Sequence, residues 1–244
     1  MYLNLYFNPW MVGMHMNNNM FIYLIIAMLV PLAAQGYLMS TFGRYKKERA
    51  SSNMTGFEVA RRMLDNNGLH HVKIEQTNGK LSDHYDPRTK TVRLSPDIYG
   101  TPSVASVAVA AHEVGHAIQH ANNYIPLKFR SALVPVVNIA NRLGFIAIIA
   151  GIFLEMFVMA EIGILLIASL FIFQLITLPV EFNASRRAMV GLREMNILYD
   201  HNEIRGARKT LNAAALTYVA ALIVALMELL RWVAILNSSR GRRR

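Results

Sequence analysis

The stretch His112-Glu113-Val114-Gly115-His116-Ala117-Ile118-Gln119-His120 decides how the rest of the chain is read. It contains H-E-x-x-H, in which two histidines one helical turn apart face the same way and offer imidazole nitrogens to a single Zn²⁺. Glu113 sits beside them, placed to touch a water on the metal without being a ligand itself. Thr101 is the expected N-cap and Pro102 suits the first helical position. The small apolar run Ser103 to Ala111 predicts a buried helix, closed by Tyr124, Ile125 and Pro126. Two histidines and a glutamate on a buried helix are costly without a metal or partners, which speaks against a chance match. His120, one turn further along the same face, is expected to support the site or pack beside it. A fourth protein ligand would close the position that a reacting water needs.

The chain has 244 residues, a formal net charge of +10, 54% hydrophobic residues and no cysteine. The absence of cysteine excludes disulfides and thiolate metal sites, leaving histidine and carboxylate as zinc ligands. The basic residues cluster beside apolar runs, as they do when they set membrane topology, and no nucleic-acid motif accompanies them. Nucleic acid is therefore not an expected partner, and the lipid bilayer is.

Residues 1 to 19 carry no Lys, Arg, Asp or Glu, and their aromatic character suits a membrane interface or a loosely ordered extension. Without a basic leader they do not resemble a cleaved signal peptide. Residues 20 to 39 form an uncharged run long enough to cross a bilayer. Arg44, Lys46, Lys47 and Arg49 follow it, which predicts a cytoplasmic location for the next segment, 44 to 124. Thr55-Gly56-Phe57-Glu58 reads as a capping box opening an amphipathic helix that Gly68 can end. A small sheet is expected, with short strands at Val72 to Glu75 and Lys90 to Leu94, turns at Asn78-Gly79 and Arg88-Thr89, and Asp83-His84-Tyr85-Asp86-Pro87 between the turns. The last strand is a candidate edge strand, either bare or available to pair with an extended peptide. His70, His71 and His84 lie among turn and strand signals and read as surface residues.

Residues 138 to 180 predict a transmembrane hairpin with an acidic turn at Glu155 to Glu161. Glu181 then lies where the chain returns to the cytoplasmic side, in the segment 181 to 210. A carboxylate there can complete a His₂Glu zinc site with an open fourth position; pairing with Arg186 or Arg187 is the alternative. Residues 211 to 236 form a fourth apolar helix in which Glu228 and Arg231 are spaced to pair. A full fourth crossing would put the basic tail, 237 to 244, outside and against the positive-inside bias. The other arrangement is a helix lying against the bundle without crossing.

Taken together, the phrases TGFEVARRMLDNNG, SDHYDPRTKTVRLSP, HEVGHAIQH and LPVEFNASRRA resemble the neutral zinc metallopeptidase family of bacterial membrane proteins, the YugP-like family. The resemblance covers most of residues 36 to 218. More distantly the chain is similar to the HtpX and CAAX-prenyl membrane proteases, where a membrane hairpin separates HExxH from a later Glu ligand. That group usually carries Asp four residues after this Glu, and Ser185 stands there here. Asn183 and Ser185 are accordingly the candidates for orienting the histidines.

The implied fold is mainly α and integral to the membrane: transmembrane helices plus a small cytoplasmic zincin-like α+β domain with a short sheet. The implied activity is that of a multi-pass metalloendopeptidase of the cell membrane, of the gluzincin type. His112, His116 and Glu181 would hold Zn²⁺, and Glu113 would act as general base in peptide-bond hydrolysis. Protein or peptide substrates associated with the membrane follow from this. His201, Tyr85 and Tyr218 are candidates for a second donor to the developing oxyanion, each also readable as structural. The rival readings are a catalytically silent membrane scaffold retaining the fold, and an ion path through the spans.

Overall fold

A computed structural model describes residues 18–241. The elements in chain order are helix α1 (Asn18–Tyr45), helix α2 (Gly56–Asn66), strands β1 (Lys73–Gln76), β2 (His84–Asp86) and β3 (Thr91–Leu94), and helices α3 (Pro96–Tyr99), α4 (Val104–Ala121), α5 (Ile125–Phe153), α6 (Phe157–Glu194) and α7 (His201–Gly241). The expectations placed on residues 1–17 and 242–244 lie outside the described residues. Among the described residues four helices, α1, α5, α6 and α7, are long and apolar enough to cross a membrane.

The chain divides into two compact units. The unit carrying the HExxH stretch comprises Gln35–Lys128 and Leu178–Thr217. Its core is built on α4, whose Val104, Ala105, Val107, Ala108, Ala110, Ala111, Val114 and Ala117 are buried. Small side chains on so much of the helix surface let α2 and the sheet approach closely. Val59, Ala60, Met63 and Leu64 of α2 pack against them. Thr55 caps α2: its hydroxyl accepts from the Glu58 N–H (3.3 Å), and the Glu58 carboxylate accepts from the Thr55 N–H (2.7 Å). The capping box is thus complete, and Gly68 follows with φ of +69° in the left-handed region.

The sheet order is β1-β3-β2, with β1 parallel and β2 antiparallel to β3. This corrects the sequence reading of residues 90–94 as an edge: β3 is the central strand, and β1 and β2 are the edges. The ladder groups of β3 are taken on both sides, by β1 in parallel and β2 in antiparallel register, and Thr91, Val92 and Leu94 are buried. Arg93, the partly exposed member of β3, reaches Glu75 on β1 and Asp86 on β2 at 3.2 Å each. One guanidinium thereby straps three strands, a cross-strand contribution of about 0.2–1 kcal/mol per pair.

The described part of the other unit comprises residues 18–34, Phe129–Thr177 and 218–241. Its helices meet through Ile148, Ile167 and Trp232, and through Val137, Leu170, Phe173 and Ala225. Glu228 and Arg231 pair on α7 as their spacing predicts (Nε to Oε2, 3.1 Å), and the guanidinium lies over the Trp232 ring. Much apolar surface remains bare: Phe21, Ile25, Leu29 and Leu32 on α1 are each at least half exposed. Apolar surface exposed along this much of a helix requires an apolar solvent, which lipid provides.

Candidate metal centre

The HExxH helix is started and held from outside itself. Ser103, not Thr101, is its N-cap: the Ser103 hydroxyl accepts from the Ser106 N–H at 3.1 Å. Thr101 and Pro102 instead belong to an extended segment. The Pro102 carbonyl accepts from the Ala50 N–H, and the Val104 N–H donates to the Glu48 carbonyl. These backbone bonds occupy groups that a helix entrance leaves open, and they explain why the start moves two residues on. At the other end the helix stops at Ala121, and Asn123 adopts a positive φ of 53° before α5 begins at Ile125.

Gly115 sets the distance to the second ligand-bearing element. A Cβ on Gly115 would lie 2.6 Å from the Ala184 carbonyl oxygen, so only glycine lets α4 press directly onto the backbone of α6. α6 does not stop at residue 180: it continues as one helix to Glu194, carrying Glu181, Asn183 and Ser185 past α4. Contact across this glycine brings together residues about 70 positions apart.

His112, His116 and Glu181 converge, each offering one donor atom, with all three donors within 4.8 Å of one another. Glu181 Oε2 lies 3.2 Å from His112 Nε2 and 3.6 Å from His116 Nε2. Donors on a tetrahedral ion with bonds of about 2.0–2.2 Å stand roughly 3.3–3.6 Å apart, close to the two distances from Glu181 to the histidines. Both imidazoles are held at the far side of the ring: His112 Nδ1 is 3.1 Å from Ser185 Oγ, and His116 Nδ1 is 3.0 Å from Gln119 Oε1. Their Nε2 atoms are left to face the carboxylate. Glu181 is only 2% exposed, and a carboxylate buried this deeply calls for positive charge beside it. Of the two arginines weighed as alternative partners, Arg187 donates to Asn183 Oδ1 at 2.8 Å.

Glu113 is 8% exposed, and burial pushes its carboxyl up to about 7. The neighbouring His112 works against this shift, while Asp83 and Glu181 add to it. A carboxyl near 7 suits a group that takes and returns a proton close to neutrality. Asp83, whose own carboxyl is raised by burial, accepts from the Ser95 N–H and hydroxyl and so fixes the approach to β2.

The remaining sequence candidates separate clearly. Ser185 bonds His112 directly; Asn183 reaches His116 only through Gln119, whose Nε2 donates to Asn183 Oδ1 at 3.0 Å. His120 is 2.9 Å from the Tyr85 hydroxyl, a bond that ties β2 to α4. Burial lowers the His120 pKa and pushes the Tyr85 phenol up to about 12, so the phenol keeps its proton. His201 is exposed at the first position of α7, and Tyr218 belongs to the other unit. His84 is partly buried in β2 with Nδ1 on the Ser82 carbonyl, while His70 and His71 are exposed as expected. Gln119, fully buried, is the residue that sequence reasoning passed over. Its only signal was its position, three residues after His116 on the same helix.

Comparison with known proteins gives the geometry its context. A family model described as "Putative neutral zinc metallopeptidase" matches residues 20–237. The chain is 46% identical over 222 residues to the "Putative membrane protease YugP" of Bacillus subtilis (strain 168), covering 91% of this chain and 98% of that protein. No solved structure matches. Zinc is the metal that family and donor set share, and the apolar helices agree with a membrane protein. The chain therefore belongs to the neutral zinc metallopeptidase family of membrane proteins.

Proposed function

We propose that this protein is a multi-pass membrane metalloendopeptidase of the gluzincin type, hydrolysing peptide bonds in membrane-associated proteins or peptides. The observation that carries the reading is the cluster of His112, His116 and Glu181 with the buried carboxyl of Glu113 next to it on the same helix. When bound, zinc supplies a Lewis acid that polarises a peptide carbonyl and lowers the pKa of a water to about 7.

The chain's own residues do the rest. His112, His116 and Glu181 hold the ion and leave a fourth position open. Glu113 takes the proton of the attacking water and hands it to the departing amine, so the carboxyl ends each cycle as it began. Ser185 and Gln119 keep the two imidazoles turned inward. The zincin-like unit lies on the cytoplasmic side in this reading, supported by the basic residues Arg44, Lys46, Lys47 and Arg49 at the end of α1. Glu181 lies on a helix that is itself a candidate span, which favours substrates held near the bilayer.

The test is Glu113→Gln in the purified full-length protein. The variant is expected to bind zinc as the wild type does and to lose hydrolysis by at least 10²-fold. Turnover at the wild-type rate would remove Glu113 from the mechanism. A wild type that binds zinc but cleaves no protein or peptide would instead fit a silent scaffold.

A further inference from the structure

Resting on the metal reading above, we propose that Gln119 is a positioning residue that fixes the tautomer of His116 and locks the metal helix to the helix carrying Glu181. Two groups beside Gln119 and Asn183 have a fixed hydrogen-bond polarity. The Val180 backbone carbonyl can only accept, and it lies 2.8 Å from Gln119 Nε2. The amide end facing α6 must therefore be the NH₂, which turns the Gln119 carbonyl oxygen toward His116 Nδ1, 3.0 Å away. An oxygen there can only accept, so His116 carries its proton on Nδ1. Its Nε2 is left with a lone pair, and this is the nitrogen that faces Glu181.

A second anchor gives the same orientation. The Arg187 guanidinium can only donate, and its Nε lies 2.8 Å from Asn183 Oδ1. With its oxygen fixed by Arg187, Asn183 accepts the other Gln119 N–H at 3.0 Å. Donation thus runs from Arg187 to Asn183, from Gln119 to Asn183 and Val180, and from His116 to Gln119. Ser185 cannot do the same for His112, because a hydroxyl rotates and serves either tautomer.

The chemistry also explains why an amide stands here. A carboxylate would accept from His116, but it has no proton to give Val180 or Asn183. It would also add a second buried negative charge close to Glu181. An apolar side chain of the same size would fill the space and do neither job. The bonds to Val180 and Asn183 fall on either side of Glu181, so this single side chain registers one ligand-bearing helix against the other.

The experiment is zinc affinity, measured by competition with a chromophoric chelator on the full-length protein in detergent. Helical circular dichroism monitors folding. Gln119→Met preserves shape and should weaken zinc binding about 10–100-fold, with a changed visible spectrum in the cobalt-substituted form. Gln119→Glu keeps the acceptor for His116 and loses both donors to α6, and should fall between Gln119→Met and wild type. A Gln119→Met protein with wild-type affinity and cobalt spectrum would show that Gln119 only packs. If Gln119→Met fails to fold, Gln119→Glu decides, and an affinity equal to or above wild type overturns the proposal. Failure of the wild type itself to bind zinc would sink the metal reading, a result distinct from either.

Discussion

At the scale of the residue, the centre depends on which atoms are left facing inward. Glu181 is the single carboxylate in the described cluster of potential ligands, and removing it leaves two imidazoles with nothing to complete the set. Glu181→Ala is expected to lose both zinc and activity, in contrast to Glu113→Gln, and metal analysis of the purified variant distinguishes them. Nearby glutamates do not substitute: Glu203 accepts from the Ser51 N–H and hydroxyl, and Glu194 lines an exposed surface cleft beside α2. Ser185→Ala removes the group on His112 Nδ1 without disturbing the clamp made by Gln119. It should weaken zinc by about 10-fold or less, a smaller loss than Gln119→Met gives in the same chelator competition.

At the scale of the element, two helices must touch before any ligand set exists. Gly115→Ala places a methyl 2.6 Å from the Ala184 oxygen and 3.1 Å from its carbonyl carbon, where only backbone is available to yield. We expect a stability loss of about 1–3 kcal/mol and a clear fall in zinc affinity, although every ligand is intact. Gly191 supplies the control. A Cβ there meets the Met63 Cε, the end of a flexible side chain, so Gly191→Ala should leave zinc binding unchanged. The entrance of the helix is a separate matter. Ser103→Ala deletes the acceptor for the Ser106 N–H and should cost about 0.5–2 kcal/mol in denaturant unfolding, with the metal site retained once folded.

At the scale of the whole molecule, topology decides which compartment supplies substrate. The basic residues after α1 predict a cytoplasmic site and an external turn between α5 and α6. The chain contains no cysteine, so single cysteines report without a background. A cysteine at Glu75, an exposed position of β1, should resist an impermeant thiol reagent in intact cells. One at Met156, in the turn between α5 and α6, should react. The opposite pattern would put the zinc outside and make exported proteins the substrates.

Features that local geometry enforces could be read from the chain before it folded. The i, i+4 spacing of His112 and His116, the capping box at Thr55 and Glu58, the left-handed turn at Gly68 and the Glu228–Arg231 pair are properties of one helix or turn. Each was legible because helical periodicity places those atoms whatever surrounds them. The long apolar runs were legible for a similar reason, since their length alone matches a bilayer. Glu181 could be chosen from sequence because the returning chain offered a carboxylate beside the metal stretch. Its position inside a continuous α6 could not, because helix ends are weakly marked where apolar sequence runs on. Long-range packing set three other outcomes: β3 lies in the middle of the sheet, Ser103 and not Thr101 caps α4, and Gln119 grips His116. Those outcomes rest on partners far away in sequence: a strand on either side, the backbone of residues 48–50, and the carbonyl of Val180. A buried amide has no periodicity to betray it, and its role appears only when the acceptor across the helix contact is known.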